Sequence, residues 1–266
     1  MRMTSQLFPK LSDYSPEELV LMADTHDDSA FALALSKHPA MKDVDGFCEI
    51  ITGIKDPFAN MAFGMHVPEA ENRVVAITEQ LKEHDCPGLF WVGPCTTPPN
   101  LDEILVQNGW VHLASPPAMV IDLESIETPQ LLEGFQLRRV ANEAELSVWH
   151  QAIAKGFGMS VEVAEMFAWN PSDKIRFYTA FLNEDVVGTT ALVLQDGVAG
   201  IYCLSTLPEF RARGIGSALT VLPLLEAQSE GYHVGTLQSS KMGLPVYLRL
   251  GFQEVCKLRM FSFGMP

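Results

Sequence analysis

The sequence predicts an α/β protein assembled from two similar halves. From about residue 134 onward, apolar runs of strand length alternate with helical segments, and turn formers separate them. Positions 142 apart repeat one order of features. The helix beginning at Ile215 falls on the one beginning at Arg73, the strand near His233 on Trp91, and Gly251-Phe252 on Gly109-Trp110. Between the halves, Glu124 to Glu133 is polar and holds Pro129, the composition of a linker. The expected organisation is therefore 1–123, a linker over 124–133, and 134–266.

The first ~40 residues read as helical, because Ser15-Pro16-Glu17-Glu18 is a cap, a proline at the first position and acids in the first turn. Met61 to Met65 suits a buried strand. Arg73 to His84 places apolar residues at 74, 75, 77 and 81, one face of a helix. Leu89 to Val92 is a short strand, and Pro94 to Asn100 is a loop with three prolines, either a wall of an acceptor pocket or a plain connection. A helix capped by Asn100 runs through Gln107 and stops at Gly109. Trp110 to Leu113 and Ala118 to Leu123 complete the first half as strands.

In the second half Phe135 to Val140 is a strand, and helices cover Asn142 to about Lys155 and Val161 to Phe167. Phe177 to Leu182 and Val186 to Val193 are strands joined by Asn183-Glu184-Asp185. After the turn Gln195-Asp196-Gly197 comes the strand Gly200 to Thr206. A helix from about Gly214 to Glu230, a strand Tyr232 to Gln238, a short helix Pro245 to Leu250 and a strand Phe252 to Phe263 follow. Pro223 lies inside the longer helix, where a proline costs ~3 kcal/mol or a kink, so that helix is expected to be bent or short.

Composition narrows the function. Lys and Arg number 18 against 33 Asp and Glu, a net charge of −15. Such a surface repels phosphate backbones and disfavours nucleic-acid partners, while it suits cationic acceptors such as amines. The five cysteines, Cys48, Cys86, Cys95, Cys203 and Cys256, form no CxxC pair, and the seven histidines show no HxxxH spacing. That argues against a disulfide framework or a zinc cluster and fits reduced thiols in a cytoplasm. No apolar run approaches membrane-span length, and MRMTSQLFPKLSDYS has no apolar core of a secretory leader.

The segment Leu204-Ser205-Thr206-Leu207-Pro208-Glu209-Phe210-Arg211-Ala212-Arg213-Gly214-Ile215-Gly216-Ser217 carries the chemistry. It leaves a strand and opens a helix. A helix N-terminus exposes unpaired N–H groups and a partial positive charge, and glycines let a ligand approach the backbone. With Arg211 and Arg213 alongside, the junction reads as a phosphate cradle, although a turn with two solvated arginines has the same composition. It is not a Walker loop, since no Gly-Lys-Ser/Thr follows, and GxGxxG is absent.

PEFRARGIGSAL resembles the central motif of the GNAT superfamily of acyl-CoA-dependent N-acyltransferases, Arg/Gln-x-x-Gly-x-Gly/Ala, filled here by Arg211, Gly214 and Gly216. About thirty residues on, Tyr247-Leu248-Arg249-Leu250-Gly251-Phe252 resembles the family's Tyr-x-x-x-Gly-Phe signature. The resemblance covers 134–266 directly and 1–123 through the repeat. It implies two tandem GNAT-like domains, each a mixed, mostly antiparallel sheet flanked by helices, with a degenerate N-terminal one. It also implies acetyl-CoA or another acyl-CoA as co-substrate, no metal, and a small-molecule or peptide amine as acceptor.

By that resemblance the backbone of Leu204, Ser205 and Thr206 would pair with the pantetheine arm. Residues 211–217 (Arg211, Ala212, Arg213, Gly214, Ile215, Gly216 and Ser217) would bind the pyrophosphate. Tyr247 would protonate the leaving thiolate, a task that suits a phenol of ordinary pKa ~10. Ser240 stands where the family often has a cofactor-contacting Asn, so a hydroxyl replaces an amide. The strand 198–206 offers no carboxylate as base; Glu162, Glu165 or a water relay stay open. Cys203 has no His nearby in sequence to activate it, which disfavours a covalent route. At the 142 offset, Arg211, Arg213, Gly214, Gly216 and Tyr247 become Glu69, Glu71, Asn72, Val74 and Leu105, so one CoA site per chain is expected, in the second half. A non-catalytic acyl-CoA-binding module is the alternative. A tandem transferase using aminoacyl-tRNA is opposed by the charge.

Overall fold

The structure, a computed structural model, describes residues 8–167 and 173–265. Residues 1–7, the start of the segment read for a leader, lie outside it. The chain begins with α1 (Pro16–Leu35), opened by a capping box in which Ser15 and Glu18 each accept the other's backbone N–H. A hairpin of β1 (Met41–Val44) and β2 (Phe47–Ile51) follows. Then come β3 (Asn60–Phe63), α2 (Ala70–Glu83), β4 (Gly88–Val92), α3 (Leu101–Gln107), β5 (Val111–Ala114) and β6 (Pro117–Asp122). The second half runs β7 (Phe135–Arg139), α4 (Glu143–Phe157), α5 (Val161–Ala164), β8 (Ile175–Leu182), β9 (Asp185–Gln195) and β10 (Val198–Thr206). It ends with α6 (Ile215–Ser229), β11 (Val234–Gln238), α7 (Leu244–Leu250), β12 (Gln253–Lys257) and β13 (Arg259–Phe263).

The first sheet has the order β1-β2-β3-β4-β13-β5 and the second β12-β6-β11-β10-β9-β8-β7. Among the described strands only β3 with β4 and β10 with β11 pair in parallel; the other ladders are antiparallel. The mixed, mostly antiparallel sheets flanked by helices are those expected.

Strand pairing crosses the expected 123/134 boundary in both directions. β6 sits between β12 and β11, in the sheet of the second half, and β13 sits between β4 and β5, in the sheet of the first. The single closing strand expected over 252–263 is thus two strands in two sheets, broken at Leu258. The cause is local. β5 and β6 are separated by Ser115-Pro116 and β6 opens on Pro117. Prolines supply no N–H for a ladder, so the chain steps across instead of closing a hairpin. The two crossings meet where the Leu258 N–H donates to the Pro116 carbonyl at 3.0 Å.

The exchange couples the cores. Phe261 of β13 is 3% exposed and packs with Phe47, Phe90, Leu105 and Trp110, all from the first half. Phe261→Ala is expected to cost ~3–5 kcal/mol. Urea denaturation followed by tryptophan fluorescence checks it, and a loss under ~1 kcal/mol would show that β13 is dispensable to that core.

The hairpin β1–β2 was not anticipated by the sequence reading, although Asp45-Gly46 announces it. Both residues have positive φ (53° and 83°), the tight-turn geometry that Asp-Gly favours. Pro223 does not shorten α6, which runs for 15 residues through it. No helix among the described residues is long and apolar enough to cross a membrane.

Candidate functional site

β10 is paired on one side along most of its length and on the other only at its start. Its parallel register with β11 runs from Val198↔Val234 to Ile201↔Leu237 and ends there. On the β9 side the ladder shifts between Tyr202 and Ser205, where Cys203 takes φ 51°, and then resumes at Ser205↔Thr189. The Leu207 N–H donates to the Val187 carbonyl of β9. Strand alternation therefore turns the backbone groups of Leu204 and Thr206 the other way, into the gap beside β11. The Thr206 carbonyl there accepts the Arg211 Nε–H; a slot whose remaining backbone groups have no strand partner is what an added strand-like ligand needs.

The slot opens on the start of α6. Ala212 and Gly214 both have left-handed backbone (φ 60° and 80°), and Gly214 is the cap residue. The helix's first backbone bond runs from Ala218 to Gly214, so the N–H groups ahead of it have no acceptor inside the helix. No side chain caps them. A Cβ at Gly214 would meet nothing within 4 Å, and one at Gly216 only the Thr206 hydroxyl at 3.7 Å. Ile215 is buried against Ala180, Val187 and Leu219 and fixes the helix start, while Gly216 and Ser217 are half-buried. The exposed Arg211 donates from Nε to the Thr206 carbonyl at 3.1 Å and from a terminal nitrogen to the Gly156 carbonyl of α4. Arg213, also exposed, lies over the Phe210 ring at 5.6 Å. Open backbone donors, a helix dipole and two cations make an anion cradle. The residues fit the diphosphate of an acyl-CoA and the slot fits its pantetheine arm.

Tyr247, on α7, is 7% exposed and belongs to an apolar cluster against which Leu204 also packs. Burial pushes its phenol up to about 12, so the proton stays on at neutral pH. Gly243 makes room for it: a Cβ there would stand 2.8 Å from the Tyr247 ring. Ser240 is exposed, and its hydroxyl oxygen accepts the Gly243 N–H at 3.1 Å, so it holds the start of α7. The Ser205 hydroxyl is buried without a partner and faces Gly156 of α4. Cys203 sits at the bulge with its thiol raised to about 12 by burial, a poor nucleophile.

The first half has the same order of elements with the slot closed. Past β3 and β4, the Thr97 N–H donates to the Met65 carbonyl (2.9 Å) and the Val67 N–H to the Thr97 carbonyl (2.8 Å). The proline-rich loop 94–100 therefore stitches the gap that stays open beside β10. The residue capping α2 is Glu69, left-handed at φ 48°, so in the fold it is Glu69 and not Asn72 that stands where Gly214 stands. A carboxylate in that place repels a phosphate.

Carboxylates near the bulge come from an unexpected element. Glu162 and Glu165 are both exposed to solvent. Asp24, Asp27 and Asp28 instead project from one face of α1, two of them buried. Only a structure brings residue 27 to residue 202, although Asp-Asp on a helix of moderate hydropathy was a visible oddity. His26, from the same helix, is fully enclosed and held neutral, its pKa lowered to about 4 by burial. The Tyr202 hydroxyl donates to His26 Nδ1 at 2.9 Å, and Nε2–H points at the Val198 carbonyl. Burial and the neighbouring Asp24 raise Asp28 to about 8, and burial with Asp28 and Asp24 raises Asp27 as well. The unfolded chain releases these protons near pH 4, whereas the folded chain keeps Asp28's until about 8. The folded state thus binds more protons in between, and stability falls as pH rises from about 4 to about 8. Melting temperatures across that window are expected to decline in the wild type and to decline less in Asp28→Asn. Parallel profiles for the two would contradict it.

Residues 173–254 match the family model described as an acetyltransferase (GNAT) domain. A GCN5-related N-acetyltransferase from Kribbella flavida has a similar structure (TM-score 0.65, 18% identity, covering 91% of this chain and 96% of that one). So has a GCN5-related N-acetyltransferase from Sphaerobacter thermophilus (TM-score 0.59, 14% identity, 98% and 95%). A tandem GNAT protein from the clavulanic acid biosynthesis pathway is similar over 98% of each chain (TM-score 0.57, 13% identity). No curated protein matches the sequence. The domain match is to the acetyltransferases, over residues 173–254. The chain has the tandem GNAT fold.

Proposed function

We propose that the chain is an N-acetyltransferase that moves an acetyl or other short acyl group from CoA to a primary amine by direct attack. The observation that carries this reading is the coincidence of three features in one region: the unpaired edge of β10, the uncapped α6 start and the protonated Tyr247 in the same apolar cluster as Leu204. Leu204 and Thr206 would hold the pantetheine arm, and the 211–217 loop the diphosphate. The thioester supplies an activated carbonyl. The neutral amine forms a C–N bond to it, the C–S bond breaks, Tyr247 gives its proton to the departing sulfur, and the attacking nitrogen sheds one proton to water, from which the Tyr247 phenolate is reprotonated. The first half has a stitched slot and Glu69 at its helix mouth, which supports a single cofactor site per chain.

Incubating the protein with acetyl-CoA and a panel of primary amines, with free thiol as readout, tests the reading. Amine-dependent thiol release above the amine-free rate is expected. Tight acetyl-CoA binding with no such release for any amine would leave an acyl-CoA-binding module instead.

A further inference from the structure

We propose that the acceptor is an amine bearing a second positive charge, and that Asp27 and Asp28 of α1 hold that second charge. This rests on the transferase reading above. The two carboxyls lack what buried carboxyls normally have. Asp24, one turn away, is partnered: its Oδ2 accepts the Cys95 N–H at 2.9 Å. Asp27 is 3% exposed, and its Oδ1 has no hydrogen-bond partner. Asp28 Oδ2 is enclosed and likewise unpartnered. Neither side chain forms an ion pair among the described residues. Burying a carboxyl without a partner is costly in either protonation state, and two at adjacent positions cannot both ionise without repelling each other, so a packing role alone would favour alanine here, as at Ala23 and Ala30 of the same helix. A cation between them removes both penalties.

The neighbours identify the kind of cation. No group of three or more histidine, cysteine or acidic side chains could hold a metal ion among the described residues. What flanks the pair is aromatic. Phe31, the next residue on that face, lies 5.8 Å from Trp91 and edge-on to Tyr202 at 6.3 Å. Carboxyls near aromatic side chains suit an organic ammonium on a methylene chain. Tyr202 and Cys203 at the β10 bulge pack with Ala30 and Ala34 of α1, which puts the cluster beside the slot where the thioester would lie. The reacting nitrogen must be neutral to attack, so it cannot itself be the charge the carboxylates hold. A second ammonium can.

The test compares the α,ω-diamines from 1,3-diaminopropane to 1,6-diaminohexane with the monoamines of equal chain length, using thiol release and calorimetric titration of each amine. In the wild type at least one diamine is expected to exceed its monoamine on the order of 100-fold in kcat/KM. In Asp27→Asn and Asp28→Asn, which keep side-chain volume, that preference is expected to fall to within about threefold while acetyl-CoA affinity is unchanged. Equal use of diamines and monoamines by the wild type, or a preference that survives both substitutions, overturns the proposal and leaves the transferase reading intact. Absence of acetyl-CoA binding would overturn the transferase reading alone. The calorimetric arm then still decides whether Asp27 and Asp28 hold an organic ammonium: diamine binding that is lost in the asparagine variants upholds that assignment, and no diamine binding sinks it.

Discussion

Gly214→Glu is expected to weaken acetyl-CoA binding by at least about 100-fold while the chain still folds. The position is open, since a Cβ meets nothing within 4 Å, so the side chain is not excluded by volume. Two costs remain. A non-glycine residue at φ 80° pays ~1–2 kcal/mol of backbone strain. More importantly, a carboxylate would sit at the uncapped start of α6, where it satisfies the free N–H groups and offsets the dipole that should hold the diphosphate. Gly214→Asn separates the two effects. Asparagine tolerates left-handed backbone and carries no charge, so its loss is expected to stay within about tenfold. Calorimetric titration reads both affinity and stoichiometry. One site per chain that vanishes in Gly214→Glu is the expected result; two sites would contradict the closed slot of the first half. Full affinity in Gly214→Glu would remove the cradle from the binding site.

Tyr247→Phe is expected to lower kcat by ~10²–10⁴-fold and leave the KM for acetyl-CoA nearly unchanged. The phenol makes no hydrogen bond among the described residues, so losing its oxygen disturbs no partner there, and the ring keeps its edge contact with Phe252 at 5.7 Å. What disappears is a proton that burial keeps on the oxygen up to about pH 12. Stopped-flow and steady-state thiol release check it. A kcat within about threefold of wild type would assign the leaving-group proton to water. Melting temperature serves as the control, because a merely structural tyrosine would move stability and not kcat.

The elements that the sequence announces are those whose signals are local. The capping box at Ser15, the turn Asn183-Glu184-Asp185 and the glycine stops at 109 and 251 need only neighbours in the chain, and helices and strands form where they indicate. The cradle was legible for the same reason. A strand end, a helix start and the residues between them are contiguous, so Arg211 through Ser217 could be read as one site. The β1–β2 hairpin had an equally local signal in Asp45-Gly46 that composition alone did not single out.

The acidic cluster had no such signal. Asp27 lies 175 residues from Tyr202, and nothing in a helix of mixed character says which face will be buried. The alignment of the two halves at a single offset was also too rigid. The repeat holds at 142 for the last two strands, but α2 begins three residues out of that register, so Glu69 replaces Asn72 as the counterpart of Gly214.

The sequence by itself determined the class of the fold, the repeat, and the strand–arginine–glycine–helix junction proposed as the anion cradle, because each depends on residues that are neighbours in the chain or recur at a set spacing. Only the tertiary structure decided which strands share a sheet, why one slot is open and the other stitched, and which carboxyls face the bulge. Those outcomes depend on backbone hydrogen bonds between distant segments. Pro116 meets Leu258, Thr97 meets Met65 and Val67, and a helix from the first half is laid across the second.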